Sequence, residues 1–309
     1  MDRMFGLGLL LAVPLTAAET TWRRTDDSLA LLGADGAAIW QFNHAASQAT
    51  PYFHPLALPG GPPLTWVAPP DHPWHYGLWF AWKYLNGRNY WDFDRRTGKW
   101  DGVVKWSEVQ VTPRDDRSAR IALALVYRPA DKDEPVLREQ RRIDISAPDA
   151  DGGHALDWSA TFTAGDAPVV FDRTPIVGEP KGVPWGGYAG LTWRCAKDLK
   201  EPQAVSAAGL RDMQAHGQPA SGCDLSGLLG GRAMGLAMVE HPANRVTPTP
   251  WYLAFDLRTP FLCLKSAPLF RASLTLPARE SFTLRYRVLV HRERWDAARV
   301  KAAAEGFAR

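Results

Sequence analysis

The order of apolar and polar positions along this chain is typical of a β protein. Short apolar or alternating runs follow one another, separated by turns that contain Gly, Pro, Asn or Asp. Helical spacing is confined to residues 294–307, where Trp295, Ala298 and Ala302 recur on one face. The sequence therefore predicts an all-β fold, a large antiparallel β-sandwich with a C-terminal helix. The predicted strands are residues 20–24, 29–32, 37–42, 51–56, 78–82, 103–111, 119–127, 136–145, 155–163, 169–173, 188–194, 234–240, 251–256, 261–265, 272–276 and 282–290.

The stretch 71–82 departs from an ordinary strand because it combines imidazoles, a carboxylate and indoles. From Leu78 onward both alternating faces are apolar, which indicates a strand buried on both sides. The prolines in residues 69–73 lack the backbone N–H that a central strand needs. We therefore expect His72 and His75 on a rigid loop beside the start of the strand.

Tryptophan is concentrated in the same region. Seven of the 14 Trp residues lie between Trp66 and Trp106. Indoles stack on the apolar faces of sugar rings while their N–H groups remain donors, so walls rich in Trp suit carbohydrate ligands. Trp74, Trp79 and Trp251 are predicted to stack on substrate, although the same indoles could equally fill the core.

Two later stretches place polar side chains on irregular segments. Residues 174–187 form a long loop rich in Gly and Pro, and such loops are often functional. Arg173 could bind a carboxylate or sugar hydroxyls there, and Glu179 and Lys181 could be acid, base or hydrogen-bonding groups that contact the substrate. The alternative for each is a solvated charge. The second stretch, 240–252, follows an apolar strand.

The second stretch begins with a carboxylate next to an imidazole, Glu240 and His241. Two such groups can have their pKa values driven apart, which is the condition for separate acid and base roles. We predict proton transfer by His72, His75, Glu240 and His241, with Asn244 holding hydroxyls. The alternative is that Glu240 and His241 lie on opposite strand faces and are unrelated.

Composition and charge narrow the partners. The formal net charge is +3 and no long basic run is present, so neither nucleic acid nor an anionic membrane surface is indicated. Residues 1–18 combine a short basic start, a brief apolar run and small residues, which predicts a signal peptide and a periplasmic or secreted protein. Residues 19–309 are then expected to form a single β-sandwich domain, with no stable membrane insertion.

Cysteines and motifs add further limits. The chain has 3 Cys, so at most one disulfide can form, and Cys195 and Cys263 are expected to be small buried side chains. The sequence contains no phosphate-binding Gly-rich loop, no G-x-S-x-G and no C-x-x-C, and we expect no cofactor. His72, His75, Glu240 and His241 are suitable metal ligands by type, but their spacing is not that of a known metal motif.

Several segments together resemble the PmoA-like family, a group of bacterial proteins labelled methane oxygenase PmoA. The family's motif usually runs His-Pro-His-His-Arg-Gly-Leu-Trp, and here Trp74 and Tyr76 replace the middle His and the Arg. A true membrane methane monooxygenase subunit needs several transmembrane helices, which the hydropathy does not supply. The segments that carry the resemblance are the stretch 71–80, the Asn86-Gly87 turn, Trp91, residues 186–191, and residues 241–244 leading to 250–252.

Strand content and site composition are also similar to those of galactose-mutarotase-type supersandwiches, whose concave sheet binds sugars. We therefore expect an exported carbohydrate-active protein that acts on a sugar, small or oligomeric, by general acid–base catalysis. Mutarotation or epimerisation and glycoside cleavage both satisfy the pattern. Two alternatives stay open: a non-catalytic glycan-binding sandwich, and a metal-dependent enzyme that uses the His and Glu residues.

Overall fold

The structure, a computed structural model, describes residues 20–256 and 258–309; the predicted signal peptide lies outside the described residues. The described chain has 20 strands and one α-helix, so the all-β prediction is confirmed. The first strands are β1 Thr21–Thr25, β2 Ser28–Leu32, β3 Ala38–Asn43, β4 Tyr52–Leu56, β5 Leu78–Ala81, β6 Tyr84–Leu85, β7 Arg88–Asn89, β8 Gly102–Pro113, β9 Ala119–Pro129 and β10 Leu137–Ile145. The remaining elements are β11 His154–Ala164, β12 Val169–Asp172, β13 Gly190–Arg194, β14 Lys200–Ser206, β15 Gly222–Leu229, β16 Arg232–Glu240, β17 Trp251–Asp256, β18 Phe261–Ser266, β19 Leu274–Leu276, β20 Ser281–Arg292 and α1 Ala297–Phe307.

Two large sheets face each other. The first is 8-stranded, in the order β1-β2-β3-β4-β5-β13-β18-β17, and the second is also 8-stranded, in the order β14-β15-β16-β20-β11-β10-β9-β8. A 4-stranded sheet, β19-β12-β6-β7, lies beside them. The neighbouring strands described for each sheet pair antiparallel, as the hairpin-rich sequence predicts.

The core lies between the two large sheets, where inward-facing apolar residues of both interdigitate. Phe80 of β5 contacts Phe162 of β11 across this interior, with 5.4 Å between ring centroids. Cys195 and Cys263 are buried thiols, as predicted, and so is Cys223.

Four strands were not predicted from sequence: the two-residue strands β6 and β7, and the longer β14 and β15. β14 begins with polar residues and Pro202, and β15 carries Gly222, Asp224 and Gly227, which together are typical of loops. The structure buries Asp224 completely and pairs its Oδ1 with His291 Nε2 at 2.7 Å, while its Oδ2 has no hydrogen-bond partner among the described residues. A paired carboxylate can therefore occupy a strand that composition alone does not reveal.

The C-terminal helix is confirmed, and it begins at Ala297. The side chain of Asp296 accepts a hydrogen bond from the Arg299 backbone N–H at 2.9 Å and so caps the helix. Val300 and Ala304 bury the inner face of α1 against the second sheet. Within the described ranges, no helix has both the length and the apolar character needed to cross a bilayer.

A charged pair occupies the inward-facing row of β10. Arg141 Nε donates to Glu139 Oε1 at 2.6 Å and Nη2 donates to Oε2 at 3.0 Å, and both side chains are fully buried. The Tyr127 hydroxyl also donates to Glu139. The guanidinium lies over Trp158 and Phe80, which places the pair between the two sheets.

We expect Glu139→Gln to destabilise the fold by about 3–5 kcal/mol, because it leaves the Arg141 charge buried without a counter-ion. Urea unfolding measures this loss. Glu134→Gln, at an exposed position just before β10, is the control and should stay within about 0.5 kcal/mol of the parent protein. A loss below about 1 kcal/mol for Glu139→Gln would contradict the assignment of the pair as a coupled buried unit.

Candidate functional site

The candidate site is built on the outer face of the central strands of the first sheet. Along β18, Leu264 enters the main core, whereas Lys265 points to the other face. The strand register pairs Thr192 with both Trp79 and Lys265, and pairs Lys265 with Tyr252. Because paired residues of antiparallel strands project to the same face, these side chains form one row across the sheet.

The connection between β4 and β5 folds over this row. Val67 and Tyr76 form an isolated bridge, and Gly77 then turns the chain into β5. Gly77 has a φ of 70°, and a Cβ at this position would lie 2.5 Å from the carbonyl oxygen of Phe53. A side chain does not fit there, so Gly77 fixes the approach of His75 to the sheet.

A cavity of about 380 Å³ opens between this connection and the outer face of the sheet. Its walls are mostly aromatic, and a few polar groups converge on it. A larger cleft of about 620 Å³ lies beside α1, and none of the predicted site residues lines it. The residues that line the aromatic cavity are His72, Trp74, His75, Trp91, Asp92, Trp185, Tyr188, Tyr252, Phe261 and Lys265.

The two histidines stack in the cavity. The ring of His72 stacks against those of His75 and Phe261, with 4.6 Å between centroids in each case, and the centroids of His75 and Phe261 are 6.1 Å apart. Burial, reinforced by the positive charge of Lys265, lowers the pKa of His75 well below its usual value. His75 is therefore neutral at neutral pH, and its buried Nδ1 has no hydrogen-bond partner among the described residues.

An Asp–His pair is held in place by an arginine of the sheet. His72 Nδ1 lies 2.8 Å from Asp71 Oδ2, and Arg194 Nη2 donates to the two Asp71 oxygens at 3.1 and 2.9 Å. Partial burial would raise the pKa of Asp71, but the hydrogen bond from His72 and the charge of Arg194 outweigh it and keep that pKa below its usual value.

Burial also lowers the pKa of His72, although Asp71 opposes this. With Asp71 ionised and His72 neutral, we assign the proton to Nδ1, which leaves a lone pair on Nε2. The pair is thereby arranged as a general base oriented by a carboxylate.

Lys265 is a buried residue of the cavity wall. Its side chain is 3% exposed, and its Nζ is 4.6, 4.8 and 4.7 Å from the ring centroids of Trp91, Tyr188 and Tyr252. Burial lowers its pKa to about 8, and the charge of Arg194 adds to this effect. The ammonium therefore stays protonated at neutral pH inside an aromatic cage.

A second carboxylate, Asp92, reaches the same cavity. Lys83 Nζ donates to Asp92 Oδ1 at 2.8 Å, and the Asn89 amide donates to the same oxygen. This side chain is therefore held in place before any ligand arrives.

The structure brings only some of the predicted residues together. His72, His75 and Trp74 line the cavity. Trp79 is 1% exposed and lies beneath His75, with 5.1 Å between ring centroids, so it supports the histidine and has no open face for a sugar.

Glu240 and His241 lie outside the cavity, which corrects the expected cluster of four acid–base groups. The Glu240 carboxylate accepts from the Thr249 backbone N–H at 2.8 Å and from the Thr247 hydroxyl at 3.0 Å, and it also bonds the Thr249 hydroxyl. The His241 ring instead contacts Phe307 of α1, with 5.6 Å between centroids. Glu240 therefore stabilises the conformation of the loop that follows it.

Trp251 and Asn244 are also placed elsewhere. Trp251 is fully buried in the main core, and its Nε1 donates to the Ala220 carbonyl at 2.9 Å, so it cannot stack on a ligand. Asn244 exchanges hydrogen bonds with the backbone of Arg285, at 2.9 and 2.7 Å. Its amide is used to hold the loop against β20.

The loop 174–187 contributes Trp185 to the cavity, whereas none of the three residues predicted in this region lines it. Arg173 donates to Glu179 and to the Leu269 carbonyl, and Glu179 accepts from the Ile176 backbone N–H at 3.0 Å, so both shape the loop. Lys181 is exposed and does not line the cavity. Trp185 of the same loop does line it.

Sequence reasoning missed Asp92 and Lys265 as site residues. The apolar run of β18 that contains Lys265 could have indicated its role, because a lysine is almost never fully buried unless it has a partner. Across residues 20–256 and 258–309, no group of three His, Cys, Asp or Glu side chains is arranged to hold a metal ion.

Comparison with known proteins gives a family and distant structural likenesses. The model of DUF6807, described as a family of unknown function, matches residues 30–305. No curated protein sequence matches the chain. The PmoA-like resemblance stays a prediction.

Several solved structures of carbohydrate-active enzymes share a distant likeness. The α-galactosidase from Lactobacillus brevis is 12% identical, with 89% of this chain and 40% of that chain covered and a TM-score of 0.42. A polysaccharide lyase is 12% identical, with coverages of 92% and 34% and a TM-score of 0.35. A galactose mutarotase related enzyme from Lactobacillus acidophilus is 8% identical, with coverages of 90% and 99% and a TM-score of 0.24. The chain thus spans less than half of the first two, and TM-scores this low carry no argument about activity.

We expect Asp71→Asn to lower the pKa of His72 further and to reduce the share of the tautomer with its proton on Nδ1. The Asp71 carboxylate raises the pKa of His72 and accepts a hydrogen bond from its Nδ1–H, and an asparagine side chain lacks the negative charge that produces both effects. NMR of the ring nitrogens across a pH titration measures both quantities. Asp115→Asn, at an exposed position, is the control; an unchanged His72 tautomer in Asp71→Asn would contradict the assigned pair.

Proposed function

The chain belongs to the DUF6807 family, whose function is unknown, and we propose from the cavity itself that it is an enzyme acting on a sugar or glycoside by general acid–base catalysis. The observation that carries the proposal is the Asp71–His72 pair, which opens into an aromatic cavity. His72 would be the base and then the acid. The aromatic walls would hold the ring of the sugar.

The aromatic walls support a carbohydrate ligand. Trp74, Trp185 and Phe261 line the cavity, and Trp185 is 61% exposed. A cavity of about 380 Å³ is within the usual size of small-molecule sites. An exposed indole on a loop that hydrogen bonds hold in place offers a stacking surface at little entropic cost.

The Asp–His pair supports proton transfer. His72 is neutral, so Nε2 can take a proton from a sugar hydroxyl or from water, and Asp71 then stabilises the imidazolium. The same ring can return the proton to the ring oxygen in mutarotation or to the leaving oxygen in glycoside cleavage. Both reactions therefore fit one histidine that acts twice.

We expect His72→Asn to lower kcat by about 10²-fold or more on any sugar that the protein converts, while sugar affinity changes little. Product analysis over a panel of mono- and oligosaccharides, followed by calorimetry, separates the two effects. His241→Asn is the matched control, because His241 lies outside the cavity and should keep full turnover. Sugar binding without turnover by the parent protein would indicate a glycan-binding protein instead, and equal losses in both variants would contradict the assignment of His72.

We expect Trp185→Ala to raise the Kd for the sugar about tenfold, because it removes an aromatic stacking face. The exposed position predicts little change in stability. Val177→Ala on the same loop is the control, since Val177 is 70% exposed and does not line the cavity. Calorimetric titration of the parent protein and both variants measures the Kd. An unchanged Kd for Trp185→Ala would show that the sugar does not stack on Trp185.

A further inference from the structure

Lys265 is a group in the cavity that acid–base catalysis by His72 does not require. We propose that its ammonium binds an anionic group of the substrate, and that the substrate is therefore an acidic sugar that bears a carboxylate. The sugar part of this inference rests on the proposed function. The anion-binding part rests on the burial of Lys265 and on the groups that surround its ammonium.

Lys265 differs from the other buried cations of the described chain. Lys83, Arg141, Arg173 and Arg194 each have a carboxylate partner: Asp92 at 2.8 Å, Glu139 at 2.6 Å, Glu179, and Asp71 at 2.9 Å. Among residues 20–256 and 258–309, no carboxylate lies within ion-pair distance of Lys265 Nζ, and none contributes to its titration; the Cys263 thiol favours the charged form, but it is a buried neutral group whose own partner is not Lys265. One buried positive charge is thus left without a counter-ion.

The aromatic cage favours the charged form of this lysine. Three ring faces lie within 5 Å of Nζ, close enough for cation–π attraction. Rings replace only part of the lost hydration, so a buried cation still gains from a real counter-ion. Since Nζ borders the cavity, a ligand anion can supply that partner.

The charge balance of the cavity points to a single negative charge. Asp71 offsets Arg194 and Asp92 offsets Lys83, which leaves only the charge of Lys265. A carboxylate carries one negative charge, whereas a phosphomonoester carries about 1.5 to 2 at neutral pH. Among the described residues that line the cavity there is no arginine and no second lysine to balance the extra charge, so a sugar carboxylate fits better than a sugar phosphate.

The titration of Lys265 sets the pH dependence of anion binding. Anion affinity should be complete while the ammonium is protonated and should fall as the pH rises through its pKa of about 8. The protonated share falls from about 90% at pH 7 to about 10% at pH 9, which is roughly tenfold. The titratable and charged groups that face it are Cys263 on its own strand, Arg194, Lys83, Asp92, His72, His75, His216, Tyr188 and Tyr252.

The test is calorimetric titration of the full chain with matched ligands at pH 7 and pH 9. Glucuronate and galacturonate are compared with glucose and galactose, and cyclohexanecarboxylate supplies the anion without sugar hydroxyls. We expect the parent protein to bind at least one uronate about tenfold or more tightly than its neutral sugar at pH 7, and to lose most of that preference at pH 9. The neutral sugar corrects for other groups that titrate in this range.

Lys265→Met keeps the length of the side chain and removes its charge, and it should abolish the preference for a uronate over its neutral sugar. Lys197→Met, at an exposed position, should behave as the parent protein does. The pH profile of the parent protein needs no variant, so the test stands even if Lys265→Met does not fold.

The outcomes separate the two proposals. Equal affinity of the parent protein for uronates and neutral sugars overturns the anion site and leaves the sugar enzyme. Binding of cyclohexanecarboxylate that depends on Lys265, without binding of any sugar, supports the anion site and overturns the sugar proposal. Absence of binding by every carboxylate overturns the anion site, as does a uronate preference that is the same at pH 7 and pH 9.

Discussion

The burial of the central strands of the first sheet on both faces is the constraint on which the site depends. One face of β5, β13, β18 and β17 forms the main core, and the other is covered by a second layer of aromatic side chains. Every residue of β5 and β13, and most residues of β17 and β18, are therefore buried, whichever way they point. In such surroundings an ionised group needs a partner, because charges interact strongly and unpaired polar groups are costly at low dielectric. The outer row can carry Lys265 and Arg194 only because the chain surrounds them with aromatic rings, carboxylates and a cavity.

Arg194 connects this constraint to the chemistry of the loop. Its guanidinium lies over Phe261 and Trp66, at 4.3 and 5.1 Å from their centroids, and Nη2 also donates to the Pro260 carbonyl at 3.2 Å. The same nitrogen holds Asp71, which in turn orients His72. The position of the loop is thereby fixed by a residue of a buried strand. A general base is held in a defined orientation when the residues that support it are themselves rigid. The loop's many prolines reduce its freedom further.

Sequence predicted the parts of the site that are local and missed those set by register. The unbroken apolar run from Leu78 to Trp82 was sufficient to predict a strand buried on both faces, and the prolines before it predicted that His72 and His75 lie on its entry loop. The choice of Trp251 over Tyr252 shows the limit of this reasoning. Neighbouring strand residues point to opposite faces, so a one-residue difference decides between core and cavity. Trp251 packs inward, and Tyr252 forms part of the cage around Lys265.

The same limit explains Glu240, Asp92 and Lys265. In the sequence, an acidic residue next to a histidine suggests an acid–base pair. In the fold, the Glu240 carboxylate instead accepts hydrogen bonds from two threonines of its own loop. Lys265 joins the histidines only through the pairing of β18 with β13 and of β13 with β5, strands that are distant in sequence. Asp92 lies on the segment between β7 and β8, where hydrogen bonds from Lys83 and Asn89 hold it. Fold class follows from a pattern that repeats along the whole chain, whereas a site depends on the face taken by single residues.

Burial keeps the histidines neutral, and the charge of Lys265, which has no carboxylate partner in the described part of the chain, adds to this effect, so the two proposals are coupled. The positive charge of Lys265 contributes to lowering the pKa of both His72 and His75. An anion bound at Lys265 would cancel that field, so the pKa of His72 would rise and its Nε2 would become a stronger base. By linkage, protonation of His72 would tighten the bound anion in return. A carboxylate-bearing substrate would therefore strengthen the base that acts on it, whereas a neutral sugar of the same shape would leave that base as it is in the empty cavity.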